Sequence, residues 1–268
     1  MLKAGRTLKS TYPELVHVTC LSHALNLVAE QVRSLFPNVD SLVASLKKVF
    51  KKAPSRVCKY QEMNPGLKLP PEAVITRWGT WLKAVELYAL HFDKIKAVID
   101  TFDPSDAAAI NTAQNLMAKS TVFHELTYVS ANFTFLCVPI LDLQQRNSSL
   151  SSTLQTIADT RAKLQAINGS MGYKVLQKFD SVIAKNADLL KVRAISKVID
   201  GTTLDDTETG LLETLSPAKI ASFKFAQLTT FEFERSFSMH GTILAPNRRR
   251  MTTQNLEMAV VSHSYFAS

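Results

Sequence analysis

Glycine is scarce in this sequence, with 8 in 268 residues. So few glycines leave little material for tight turns, which argues against a β-sandwich or barrel. There are only three cysteines, an odd number that cannot pair off into a disulfide framework. A reducing compartment, nuclear or cytoplasmic, is the expectation. No apolar run approaches the roughly 20 residues that a bilayer demands. The longest, such as Phe133 to Ile140, fall far short, so no membrane partner is expected. The opening residues carry Lys3, Arg6 and Lys9 among polar neighbours and lack the apolar block of a signal peptide. Gly-x-Ser-x-Gly and phosphate-cradling glycine loops are missing too, so neither esterase-like nucleophilic catalysis nor nucleotide hydrolysis has a motif to stand on.

The composition that remains is that of a core-forming protein, 46% hydrophobic and 20% charged. The length suits one large domain or two small ones. Lysine and arginine outnumber aspartate and glutamate 31 to 23, a formal charge of +8, and the isoelectric point is near 9.4. Such a balance fits a nucleic-acid partner, because clustered cations release counterions from phosphates. Here the lysines are spread widely, so charge alone does not decide it.

Periodicity predicts helices almost throughout. Residues 2–11 read as a short helix ended near Pro13. Leu15-Val16-His17-Val18-Thr19 alternates and is β-branched, which predicts a strand. Leu21, Ala24, Leu25, Val28, Val32 and Leu35 then form a helical stripe that stops before Pro37. Asn38 or Asp40 is placed to cap the next helix, which buries Val39, Leu42, Val43, Leu46, Val49 and Phe50. A third helix covers about 54–63. Beyond the loop marked by Asn64-Pro65-Gly66 and Pro70-Pro71, a helix follows Trp78 with Leu82, Val85, Leu87 and Leu90 inside. Further helices are predicted over 105–118, 120–145 with a bend at Pro139, 149–167, 173–186, 188–199, 229–243 and 252–263. The acidic stretch from Gly201 to Gly210 reads as an exposed linker. A lone strand cannot satisfy its own backbone groups, so this one stands out.

A few residues could carry chemistry. Cys20 and His23 have ligand-like spacing, yet structural zinc needs four ligands. Cys58 and Cys137 have no Cys or His at useful spacing, and no metal is expected. Lys47, Lys48, Lys51, Lys52, Arg56 and Lys59 make the densest basic surface, and Arg248-Arg249-Arg250 the second. Each is either a solvated face or a set of phosphate contacts. Trp78 and Trp81 read as core anchors.

Three separated segments resemble hAT-type DNA transposases. His17-Val18-Thr19-Cys20-Leu21-Ser22-His23-Ala24-Leu25-Asn26-Leu27 is similar to that family's Cys-x-x-His segment and the apolar helix after it. Thr76-Arg77-Trp78-Gly79-Thr80-Trp81 is similar to the Arg-Trp motif of the helical insertion. Phe233-Glu234-Arg235-Ser236-Phe237-Ser238 and Asn247-Arg248-Arg249-Arg250-Met251-Thr252, with Asn255-Leu256-Glu257, resemble the closing block known as the hAT dimerisation region. Together they span nearly the whole chain.

The resemblance implies a mainly α fold: a helical array like the hAT insertion, with one residual strand of a truncated ribonuclease-H-like domain. Residues 1–20 would be the remnant of that domain, 21–210 the helical insertion and 211–268 the C-terminal helix with the dimerisation region. It implies that Glu234 corresponds to the catalytic glutamate, and that the chain starts just after the second of the family's two aspartates. An intact enzyme would use magnesium held by that triad. Glu234 alone cannot neutralise two dications, so it reads as a relic ligand. Asp205, Asp206 and Glu208 match no motif. In the family the Arg-Trp tryptophan stacks on a flipped base, a role Trp78, with Arg77, inherits only if DNA is held. The resemblance implies a homodimer built on Phe233, Phe237, Leu244, Leu256 and Val260, with DNA as a second partner. The expected function is therefore a transposon-derived, catalytically inactive protein that self-associates and binds DNA weakly. Two readings compete with it: a metal-dependent nuclease in which other carboxylates replace the aspartates, and a reading frame that survives without function.

Overall fold

The structure is a computed structural model, and it describes residues 2–71, 78–145 and 148–230, with residues 252, 254, 255, 257 and 258 beyond them. The described chain is mainly helical and forms no strand. In order run α1 (Leu2–Thr11), α2 (Leu21–Leu35), α3 (Pro37–Phe50), α4 (Pro54–Met63), α5 (Trp78–Leu90), α6 (Phe92–Ile99), α7 (Ala108–Met117) and α8 (Ser120–Phe133). A short 3-10 turn over Thr134–Leu136 leads into α9 (Cys137–Asp142). Then come α10 (Leu150–Gln165), α11 (Gly169–Ile183), α12 (Leu189–Ile199), α13 (Asp206–Leu212) and α14 (Pro217–Ser222). A final 3-10 turn covers Phe223–Phe225.

The apolar stripe of α2 explains its central place. Leu21, Leu25, Val28, Ala29 and Val32 are fully buried, and the helix packs on α11, α5, α3, α9 and α8. α5 is the second hub, against α8, α2, α9, α3 and α6. α3 lies on α7 and buries Val39, Leu42, Leu46 and Val49. One contiguous apolar cluster runs from Leu21 to Leu228, so Leu212, Leu215 and Leu228 belong to the same core as α2. Each fully buried Leu or Val of this kind contributes roughly 1.5–3 kcal/mol.

Several expectations are corrected. Neither Asn38 nor Asp40 caps α3: Phe36 holds the N-cap position with Pro37 just inside, where a missing N–H costs nothing. Asp40 instead pairs with Arg33 at 2.5 Å, joining α2 to α3, and Asn38 reaches Glu125. Leu90 is 74% exposed, because α5 ends there and α6 starts afresh at Phe92; the face that goes inside is Trp81, Leu82, Ala84, Val85 and Tyr88. The break after α8 falls at Thr134–Leu136 rather than at Pro139, which sits in the first turn of α9 where proline is tolerated. The acidic stretch is not a plain linker. Asp205 and Glu208 form a reciprocal capping box that starts α13.

The expected strand over residues 15–19 joins no ladder among the described residues. Its backbone is served by side chains instead. The His17 amide donates to Asp188 Oδ2 at 2.7 Å, and the Thr19 amide and hydroxyl donate to Asn186 Oδ1 at 2.6 and 2.8 Å. Amides two residues apart point the same way only in an extended chain, so the strap keeps the backbone its sequence prefers. Asp188 precedes α12 but gives that helix no side-chain cap; its carboxylate is spent on His17 and on Lys9, at 2.5 Å. Gly5 completes the clamp. A Cβ there would lie 2.5 Å from the His17 ring, so only glycine lets α1 close on the strap.

Asn186→Ala should therefore cost about 2–3 kcal/mol, as two hydrogen bonds are lost and a buried donor loses its acceptor. Chemical denaturation measures this, and amide exchange should speed up at Thr19. An unchanged midpoint would mean the strap is not held by this side chain.

Candidate nucleic-acid interface and the Cys20 junction

Cys20 sits where the strap becomes α2. It is 8% exposed and occupies the N-cap position. Its sulfur accepts the backbone N–H of His23 at 3.4 Å and that of Thr230, also at 3.4 Å. Next to it the Leu21 amide donates to the Leu228 carbonyl at 2.9 Å. Residues 228–230 thus come back to the point where α2 begins. The His23 side chain is exposed, so Cys20 and His23 are joined through the His23 backbone and not through its imidazole. Among the described residues no group of three or more His, Cys, Asp and Glu side chains converges as a metal site. Cys137 is committed elsewhere: its thiol donates to the Gly79 carbonyl at 3.4 Å, and burial pushes its pKa up to about 11. A thiol held protonated in this way is a poor nucleophile.

The basic residues from 47 to 59 gather at one elbow between α3 and α4. No acidic residue occurs between Asp40 and Glu62 in the sequence. Lys47 and Lys48 lie in the last turn of α3, where cations offset the negative end of the helix dipole. That is a structural reason for part of the cluster. It does not account for the rest. Lys51 and Lys52 follow the helix and are exposed, as are Lys48 and Lys59. Arg56 is half-buried and donates to the Val49 carbonyl at 3.3 Å, tying α4 back to α3. Lys52 has a φ of 56°, a left-handed conformation that costs a lysine roughly 1 kcal/mol or more. Elsewhere cations are matched with acids, as in Arg161–Asp180 at 2.8 Å and Lys197–Glu208 at 2.6 Å. At the elbow Lys59 lies 3.9 Å from Glu62, and Lys48, Lys52 and Arg56 form no ion pair among the described residues.

The remaining candidates are distributed as follows. Trp78 opens α5, but its side chain lies outside the described residues, as does all of Arg77. Trp81 is a core anchor, 3% exposed. Glu234, Arg248, Arg249 and Arg250 lie outside the described residues, and so do Phe233, Phe237, Leu244, Leu256 and Val260. Near them, the Thr252 hydroxyl accepts the Asn255 amide at 3.3 Å, as a helix starting at 252 would have it. The carboxylates of Asp205 and Glu208 are occupied by the capping box and by Lys197.

Asn186 and Asp188 were not visible as site residues in the sequence. An Asn-Ala-Asp run before an apolar stripe signals a helix start, and nothing local shows that both side chains turn away to bind a strap some 170 residues earlier. No family model matches the chain, and no curated protein matches it either.

Because the sulfur acts as a helix cap, Cys20→Ala should cost about 1 kcal/mol, Cys20→Ser distinctly less, and His23→Ala within about 0.5 kcal/mol of nothing. Urea denaturation of the three variants gives the ranking. A ligand pair would behave otherwise, with both alanine variants losing stability together and a stoichiometric metal lost with it.

Proposed function

We propose that this chain is a hAT-transposase-like helical module that does not itself cut DNA, pairs with a second copy through its C-terminal region, and holds DNA weakly through the α3–α4 elbow. One observation supports the reading most: the chain leaves at Cys20–Leu21 and returns to the same spot at Leu228–Thr230. An inserted helical array must begin and end at one place on its host domain. Thr230 stands three residues before Phe233, so the two outer motifs of the resemblance flank that junction. The lack of cleavage follows from chemistry. Two-metal phosphoryl transfer needs several carboxylates around metals roughly 4 Å apart, and of the family's triad only Glu234 has a counterpart in the sequence. Asp205 and Glu208, earlier in the chain, are engaged in capping α13.

Self-association is supported by the sequence of the last stretch. Leu256, Met258, Ala259, Val260 and Val261 make the region apolar nearly all round, and such a helix is buried on more than one side. A second copy in a two-fold contact is the commonest solution. Sedimentation should give a species of twice 29.7 kDa, and truncation after Thr230, which keeps the Leu228 bond to Leu21, should return it to monomer. A monomer at tens of micromolar with the C-terminus intact would refute the dimer.

DNA is held by phosphate contact alone, since the elbow offers cations and no element shaped to read a groove. The intact chain should bind random duplex with a Kd of about 10–100 µM at physiological salt, weakening steeply as salt rises. Changing Lys47, Lys48, Lys51 and Lys52 together to glutamate should abolish it, whereas plasmid incubated with magnesium or manganese should stay supercoiled. Nicking that vanishes with Glu234→Ala would favour the nuclease reading instead.

A further inference from the structure

We propose that Ser55, at the start of α4 in the basic elbow, is a phosphate acceptor for a protein kinase that selects basic residues ahead of the hydroxyl, and that its phosphate switches off polyanion binding there. The second half rests on the DNA-holding role argued above. Ser55 is exposed. Several exposed serines have their hydroxyls turned back onto a helical carbonyl three residues earlier, as Ser10 does at 2.7 Å, Ser34 at 2.8 Å, Ser181 at 2.8 Å and Ser222 at 2.6 Å. Ser55 is the second residue of its helix and has no preceding turn to bond. Its hydroxyl makes no hydrogen bond among the described residues.

A kinase cleft takes its substrate in extended form, so the left-handed Lys52 and the first turn of α4 must straighten on docking. The residues on either side of Lys52 already have extended or near-extended backbone. Lys51 is extended, with φ −68° and ψ 123°, and Ala53 has φ −128° and ψ 76°. Lys51 and Lys52 stand four and three residues before the hydroxyl, and Arg56 follows it. Charge patterns of this sort are what kinases use to discriminate substrates. The reaction is an ordinary phosphoryl transfer from ATP. Ser55 Oγ attacks the γ-phosphorus, the bond from that phosphorus to the β–γ bridging oxygen breaks, ADP leaves, and the hydroxyl proton passes to the kinase's base.

The product carries about −1.5 to −2 charges and three acceptor oxygens. It sits beside Arg56 and one helical turn from Lys59, both of which would turn to it. A surface that bound phosphate in trans would then hold its own in cis. Cancelling about two positive charges should weaken DNA binding about tenfold or more at moderate salt and flatten the salt dependence by nearly two units of slope.

The test uses the intact chain with ATP, magnesium and a calcium/calmodulin-dependent protein kinase, which reads a basic residue three positions before the hydroxyl. Site mapping by mass spectrometry should find one phosphate on Ser55, absent from Ser55→Ala. Titration of random duplex DNA should then show the tenfold loss for the treated protein and none for treated Ser55→Ala. No phosphate on Ser55 overturns the site. Phosphate on Ser55 with an unchanged Kd overturns the switch. If the untreated chain binds no DNA at all, the holding role fails and takes the switch with it, while occupancy of Ser55 still decides the site.

Discussion

Five consecutive peptide groups in a helical protein, with no neighbouring strand among the described residues, are the constraint around which this structure is arranged. Backbone donors away from water must find acceptors, and residues 15–19 are too β-branched to coil into a helix and too few to fold on themselves. The solution is a pair of short side chains placed two residues apart. Asn186 and Asp188 present their oxygens at the spacing of alternate amides and so stand in for the edge of a partner strand. Much follows from that substitution. α12 must begin where its entry residues can reach the strap, α1 must be bare at Gly5 to let His17 in, and Lys9 must balance the Asp188 carboxylate.

The strap in turn fixes the start of α2, one of the central helices of the array. A cysteine cap is a weaker acceptor than serine or aspartate, but its larger sulfur reaches two amides, one within its own helix and one from the returning segment. The core behind this junction is continuous, so the elbow of α3 and α4 is carried on a rigid support. Lys48, Lys51, Lys52 and Lys59 are exposed there, and the Arg56 bond to Val49 ties α4 to α3. The left-handed Lys52 marks the turn as a place where local conformation has been traded for the position of charge.

Helices were legible wherever the apolar period was long and the flanks were marked. α2, α4 and α12 begin and end within a residue or so of where Pro37, Pro54 and the stripes of Leu21 and Leu189 put them. The misreadings have physical causes. Leu90 looked internal because its period is right, yet a helix that stops there exposes its last turn. Gly201–Gly210 looked like a linker because acidic residues were weighed as solvent-facing, when Asp205 and Glu208 at a spacing of three are a capping signature in themselves. The strap was visible as extended chain, but its partners were not. Strand-like alternation announces a need for acceptors and says nothing about who supplies them. The elbow was legible as charge, and its shape was not. The residues of the resemblance that would carry self-association and catalysis lie outside the described residues.

The distance along the chain between the strap and its partners has a consequence for how the molecule comes into being. Residues 17 and 19 leave the ribosome early, and the side chains that satisfy them follow 171 and 167 residues later; the amide that completes the cap on Cys20 comes 210 residues later. At ~5–20 residues per second, synthesis leaves the strap with open hydrogen-bonding groups for roughly ten seconds or more. Helices α2 to α11 can consolidate in that interval through nearer contacts. The junction must close last, because its loop-closure entropy is recovered only when the array is already assembled. An apolar, β-branched edge waiting that long is an invitation to pair with another nascent chain. Pro13 and Glu14 just ahead of it, a residue that cannot donate and a charge, are the protection this sequence places there.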